Sequence, residues 1–359
     1  MNAVKERNYS IDLLKFICML GIIILHLTGQ GGLLKLSVNN YITVNIYRII
    51  NNIFLASVNV FCIITGYLYA EKKKTHCKNV IDIIFTMIFY SIIITVVFYS
   101  FDFYNVRNLG KLELLRSLFP PMVGRYWFVT CYVFLFFMIN YINKFLNILN
   151  KKQHRILIII IFVFFSLFSE MGAYDYFRIQ WGYSPFWLIY LYMIGSYIKK
   201  YKIKISLKKC VLLLLLCEGG NILIMLFAKN FLPYNNIFYN LGNNYNSPLI
   251  VIISILFFYV FINLNIKNTL FSKLGKYSLS MIIIHSHRLI YDLVINNNMI
   301  IIKKYNFVCE VLLLLGGALL IYLLCVIIEI IKRNIFKITK IASFISKLGD
   351  KLDKKLNIN

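Results

Sequence analysis

Apolar runs recur along the whole chain, at roughly 11–28, 49–70, 80–101, 126–146, 156–170, 184–198, 210–228, 247–264, 277–294 and 307–331. Most approach the roughly 20 residues a helix needs to cross the hydrocarbon core of a bilayer. That core offers no water to stray backbone groups, so helices are the expected spanning element. The residue-by-residue alternation of barrel strands is absent from the sequence. The pattern predicts an all-α, polytopic integral membrane protein with about ten transmembrane helices and no inserted soluble domain. A membrane domain of residues 1–331 is followed at 332–359 by a basic stretch with helical apolar spacing, expected to lie as an amphipathic helix on an anionic membrane surface. The first run follows Lys5 and Arg7 as in a signal peptide. It lacks a small-residue cleavage site, so it reads as a retained helix.

Polar residues interrupt two of these runs in a regular way. In "IDLLKFICMLGIIILHL" the side chains of Asp12, Lys15, Met19, Ile22 and His26 fall on one helix face. Lys15 and His26 are separated by three turns, roughly 16 Å along the axis, so they align. In "YSLSMIIIHSHRLIYDL" the residues Ser278, Met281, His285, Arg288 and Asp292 share a face, with Arg288 and Asp292 spaced as an i,i+4 pair. His287 points elsewhere and reads as an interfacial residue. His76 and His154 lie in basic loops and need no special role. Ionisable groups inside a membrane are costly and usually face a cavity or a partner. Two such stripes, each with one histidine, predict a polar cavity between helices. Histidine can exchange a proton near neutral pH. From spacing alone, each could equally be a hydrogen-bonded packing residue or part of a proton relay.

The chain has 359 residues, is 60% hydrophobic and carries a net charge of +25. A soluble protein with that charge would suggest nucleic acid. Here Lys and Arg concentrate in every second loop between apolar runs, which reads as topology, with both termini cytoplasmic. No nucleic-acid partner is expected. The eight cysteines show no CxxC spacing and lie mostly inside the runs, so neither a metal site nor a disulfide framework is indicated. The loops at 170–185 and 228–248 are rich in Tyr, Trp and Asn. Such residues suit sugar binding, but an interfacial aromatic belt with ordinary loop asparagines is the plainer reading.

Several motifs together resemble the acyltransferase-3 family of integral membrane acyltransferases, over nearly the whole chain. Asp12, Lys15 and His26 are similar to its opening signature, an acidic residue, a basic residue and, after ten more, a histidine. The family more often has Arg where Lys15 stands, and Lys lacks the bidentate fork for phosphate. "NVFCIITGYLYAEKKK" resembles a second-span signature, with Thr65 for Ser, Gly66 and Tyr67 matching, and Cys62 for a Phe. "FPPMVGRYWFVTCYV" resembles the lead into the fourth span, where Trp127 and Phe128 match. Arg125 and Tyr126 stand where many members have a histidine. The Arg-rich run that usually opens the third span is reduced to Lys78 and its neighbours. "LGKYSLSMIIIHSHRLI" is similar to a late signature whose histidine is His285.

The resemblance implies an acyltransferase of a bacterial cytoplasmic membrane. It would move an acyl group, usually acetyl, from cytoplasmic acyl-CoA to a sugar hydroxyl of a surface polysaccharide or its lipid-linked precursor. Acetyl-CoA would be a donor substrate rather than a resident cofactor. Lys15, with Lys72, Lys73 and Lys74, would meet its phosphates. His26 would act as general base on the hydroxyl, with His285 and Asp12 in the same machinery. His285, Thr65 and Tyr67 are candidate donors to the thioester oxyanion, and Trp127 and Arg288 candidate substrate contacts. Competing expectations are a transporter or flippase with histidines as proton relay, and a scaffold within a glycan-assembly complex.

Overall fold

The computed structural model describes residues 8–72, 75–172, 175–264, 266–267 and 274–355. The protein is all-helical, with 80% of residues in helices and no strand among the described residues. The main helices are α1 (Tyr9–Thr28), α2 (Tyr41–Tyr69), α3 (Cys77–Phe101), α4 (Gly110–Leu118) and α5 (Trp127–Ile148). They continue as α6 (Lys151–Met171), α7 (Pro185–Lys200), α8 (Leu207–Phe231) and α9 (Pro248–Ile262). After these come α10 (Ser278–His285), α11 (Ile290–Ile302), α12 (Phe307–Ile338) and α13 (Ile341–Lys355).

Among the described residues seven helices are long and apolar enough to cross a membrane, and eight if α10 and α11 form one broken span. The protein is therefore a multi-pass membrane protein. The ten apolar runs all fold as helix, but α7 and α9 have only 16 and 15 residues. The run at 277–294 is not one straight helix. It breaks after His285, and α10 and α11 meet at a bend of 70°.

Local chemistry explains the ends that matter for function. Asn8 caps α1 by accepting from the Ile11 amide at 3.1 Å. "TGQGG" terminates it, with the Gly31 amide donating to the His26 carbonyl and Gly32 at φ +95°. At the break after His285 the helix gives up part of its own hydrogen bonding. The Ile283 carbonyl accepts instead from the Tyr126 hydroxyl at 2.6 Å. The buried His287 ring accepts from the Leu289 amide and meets the Ser117 carbonyl at 3.1 Å. Side chains thus satisfy the backbone groups that the bend releases inside an apolar bundle.

The centre of the bundle is built from α1, α2, α7 and α9. Helices α2 and α7 approach closely because Gly66 faces the Tyr192 carbonyl and Gly195 faces the Ile63 carbonyl, with no room for a Cβ at either. Helices α6, α8 and α12 lie outside and expose apolar side chains.

Hydrogen bonds fix which loops share an end. The Ser10 hydroxyl donates to the Leu264 carbonyl, Asn143 to the Tyr69 carbonyl and Lys200 to the Leu146 carbonyl. This end also holds Lys72, Lys199 and Lys276, and it is called the basic end below. The opposite, loop end gathers the segments around 30–40, 102–126, 175–184 and 232–247.

The tail differs from a simple surface helix. The last span runs to Ile338, and Ile345 of α13 packs with Cys77 and Ile81 of α3 and Phe336 of α12. Asp353 caps α3, accepting from the Cys77 amide at 2.8 Å and lying 2.9 Å from His76 Nδ1. Both ends of the described chain therefore lie at the basic end.

Candidate active site

The two histidines of the polar stripes meet. His26 Nδ1 lies 2.9 Å from His285 Nε2. His285 Nδ1 in turn lies 2.7 Å from the Met281 carbonyl. A carbonyl can only accept, so His285 Nδ1 carries a proton. In the neutral pair His285 Nε2 is then bare, and His26 Nδ1 must donate to it. This leaves His26 Nε2 as an unprotonated base. His285 is buried at the C-terminus of α10, where the helix dipole favours positive charge, while His26 is only partly buried. The Tyr291 hydroxyl holds the backbone at His26 by donating to its carbonyl at 3.1 Å.

His26 opens on a cavity of about 360 Å³ toward the loop end. Trp127 and Tyr245 form one wall, with ring centroids 5.8 Å apart, and Tyr183 lies 4.4 Å from Trp127. Arg125 and Arg288 line the cavity and are tied to carboxylates. Arg125 pairs with Asp292 at 2.5 Å, and Arg288 pairs with Glu113 at 2.6 Å and more loosely with Asp292 at 3.7 Å. The i,i+4 partnership read from the sequence is thus the weakest contact in a cluster that joins α4, the segment before α5, and α11. Gln30 and Ser286 also line this cavity, and the buried Ser286 hydroxyl has no partner among the described residues.

A second cavity, of about 660 Å³, opens at the basic end. Asp12, Lys15, Lys72, Lys199 and Lys276 line it, with Tyr67 and Tyr69 along its side. Lys15 pairs with Asp12 at 3.6 Å, Lys72 sits 3.6 Å from the Tyr69 ring centre, and Lys199 pairs with Glu71 at 3.6 Å.

The structure sorts the sequence-derived residues into two groups. His26, Trp127 and Arg288 line the loop-end cavity, with His285 bonded to His26. Asp12, Lys15, Lys72, Thr65 and Tyr67 gather at the basic one. Asp12 stands fourteen residues before His26, about 21 Å along the helix, so it is not brought to the histidines and acts on Lys15 instead. Thr65 is also separate from them. Its hydroxyl donates to the Phe61 carbonyl at 2.9 Å and meets the Tyr132 hydroxyl at 3.1 Å, which leaves neither hydrogen spare for an oxyanion. Lys73 and Lys74 lie outside the described residues. His287 serves the helix break rather than an interface with water. His154 is buried against Tyr197 and Tyr201.

Sequence reasoning missed Lys199, Lys276, Ser286 and Tyr245. Both lysines read in the sequence as loop charges that topology accounts for, although Lys199 lies in the last turn of α7. Asparagine side chains help to hold the loop at 228–248. Asn246 donates to Phe165 and Ser169, and the Gly242 carbonyl accepts from Asn52 and Asn221. That scaffold holds Tyr245 against Trp127.

A family model described as an acyltransferase domain, Acyl_transf_3, matches residues 8–330. The chain belongs to the acyltransferase-3 family. The match covers every element that builds the two cavities and both histidines. No curated protein and no solved structure matched the chain. The membrane acyltransferase thus has His26, bonded to His285, lining one cavity, and a second, lysine-lined cavity that shares Phe128 and Ile282 with it.

Proposed function

We propose that this acyltransferase is an O-acyltransferase, most simply an O-acetyltransferase. Its donor would be cytoplasmic acyl-CoA, and its acceptor a sugar hydroxyl of a bacterial surface polysaccharide or its lipid-linked precursor. The observation that carries the reading is the His26–His285 pair, with His26 lining a loop-end cavity that nearly meets a lysine-lined cavity of opposite character. The basic cavity suits the donor. Lys15, Lys72, Lys199 and Lys276 can meet the phosphates of a CoA, and the tyrosines along its side can pack against its pantetheine arm. With the basic end cytoplasmic, as the charge distribution favours, the donor enters from the compartment where it is made. The loop-end cavity suits a sugar. Trp127 and Tyr245 offer ring faces, and the arginine–carboxylate cluster offers polar edges.

The chemistry follows from the proton positions. His26 Nε2 accepts the proton of the sugar hydroxyl as its oxygen attacks the thioester carbon. The new carbon–oxygen bond replaces the carbon–sulfur bond, and His26 returns the proton to the departing thiolate. The products are the sugar ester and free CoA thiol. During the step the imidazolium of His26 keeps its Nδ1 proton on His285, whose place at the α10 C-terminus favours the positive charge. Ser286 and Gln30 are the candidate donors to the oxyanion.

Sided vesicles test the reading. Labelled acetyl-CoA does not cross a bilayer. Presented to the basic end of vesicles that carry the acceptor glycan, it should label the glycan, and presented to the loop end it should not. A transporter would leave the glycan unlabelled in both arrangements, and that outcome would refute the acyltransferase reaction proposed here.

A further inference from the structure

We propose that Phe128 and Ile282 form a partition between the two cavities, and that Phe128 limits the size of the acyl group that crosses it. The second half of this inference rests on the acyl-CoA reading above, and the first half does not.

Among the described residues, Phe128 and Ile282 are the two that line both cavities. The wall they form is thin. On α1, Met19 faces the basic cavity and Ile22, one turn later, faces the other, a step of about 4.5 Å along the axis. On α10, Ile282 precedes His285 by one turn. The partition therefore lies directly under the histidine pair.

Its side chains are held in place. Phe128 is 5% exposed and Ile282 7%. The Phe128 ring stacks on Tyr132 at 5.8 Å and meets Trp127 edge-on at 5.7 Å. Tyr132 is anchored in turn by the Thr65 hydroxyl on α2 at 3.1 Å. The Thr65–Tyr132–Phe128 chain thus gives the threonine of the second-span motif a mechanical role. It backs the ring that closes the gap.

Two consequences follow. An apolar constriction one turn thick stops water and ions by staying dry, so cavities that nearly meet need not make a leak. The acyl group is also the leading end of a donor entering from the basic side. It must clear Phe128 and Ile282 before its carbonyl reaches His26. A short group clears a gap that a longer one does not, and differences of one or two methylenes in such a gap are worth roughly tenfold or more in rate.

The test has two arms. In the first, Ile22→Cys reports access to the loop-end cavity, using a small membrane-impermeant cationic methanethiosulfonate and the chain without this substitution as background. The cysteine should react from the loop side only while Phe128 is present, and from both sides when Phe128→Ala is added. In the second arm, membranes are given acetyl-CoA and butyryl-CoA in competition. Phe128→Ala should shift transfer toward butyryl by roughly tenfold, with Phe128→Leu in between as a variant that keeps an apolar side chain and the fold. Labelling from the basic side with Phe128 intact, or continued protection in Phe128→Ala, overturns the partition. An unchanged acyl preference in both Phe128 variants overturns the size limit. Failure of the unsubstituted protein to transfer either group refutes the acyltransferase reading alone, and the labelling arm still decides the partition.

Discussion

His26 donates its Nδ1 proton to His285 across 2.9 Å, joining helices whose residues are 259 positions apart in the chain. The bond fixes the tautomer, because His285 is itself committed to the Met281 carbonyl at 2.7 Å. A base with its bare nitrogen turned away from its partner is what proton abstraction from a hydroxyl requires. On the proposed mechanism His285 is a positioning residue, and His26 is the group that would meet the acceptor.

This division of labour gives the first prediction. His285→Ala should lower kcat by less than loss of His26 does, with little change in KM for the donor. His285→Gln should recover part of the loss, because its side-chain oxygen can accept the His26 Nδ1 proton. Steady-state kinetics on membranes matched for protein level would separate the two. Equal losses in the Ala and Gln variants would argue that His285 only packs.

The lysines of the basic cavity give a second. Lys199→Ala and Lys276→Ala should each raise KM for acyl-CoA more than they lower kcat, since the proposed donor would set its phosphates, and not its reacting carbon, against them. Lys15→Arg should be tolerated. A pure kcat effect of Lys199→Ala with unchanged KM would remove that residue from donor binding.

The helix crossing gives a third. Gly66→Ala places a methyl group against the Tyr192 carbonyl, where no space exists. Overpacking of this kind costs about 1–3 kcal/mol. The variant should melt at a lower temperature in detergent and be recovered in lower yield. An unchanged melt would show that α2 and α7 can separate without penalty.

The tail gives a fourth, with a defined pH sign. Burial alone would raise the Asp353 carboxyl, but the Cys77 thiol and amide and the neighbouring His76 outweigh it and hold the group below its ordinary value. A carboxyl depressed by folding stabilises the protein above its unfolded pKa, about 3.9, and loses that effect as pH falls through the folded value. Asp353→Asn keeps an oxygen that can accept from the Cys77 amide but removes the carboxylate charge beside His76, so it should lower the melting temperature at pH 7. The gap to the unsubstituted protein should close below about pH 4. A gap that persists in acid would point to packing rather than charge.

Much of the site was legible in the sequence because a helix repeats every 3.6 residues. That period put Asp12, Lys15 and His26 on one face and marked His285 as inward. It could not reveal the break after His285. The segment from Tyr277 to Leu293 contains neither Gly nor Pro, and the bend is supported by Tyr126 and by Ser117, which are remote in sequence. Lys199 and Lys276 were hidden for a different reason. Basic loops already had an explanation in topology, and only tertiary structure turns two of those lysines toward a cavity. Phe128 shows the same limit for apolar residues, since a ring that closes a gap has the same sequence signature as a ring that fills a core.

The most direct measurement of the central claim is the rate of acyl transfer in His26→Ala, in membranes where the variant inserts and melts as the unsubstituted protein does. Loss of a general base should lower kcat by about 10²–10⁴-fold while acyl-CoA still binds at the basic end. Near-normal turnover in His26→Ala would contradict the account and leave the histidine pair as a packing device.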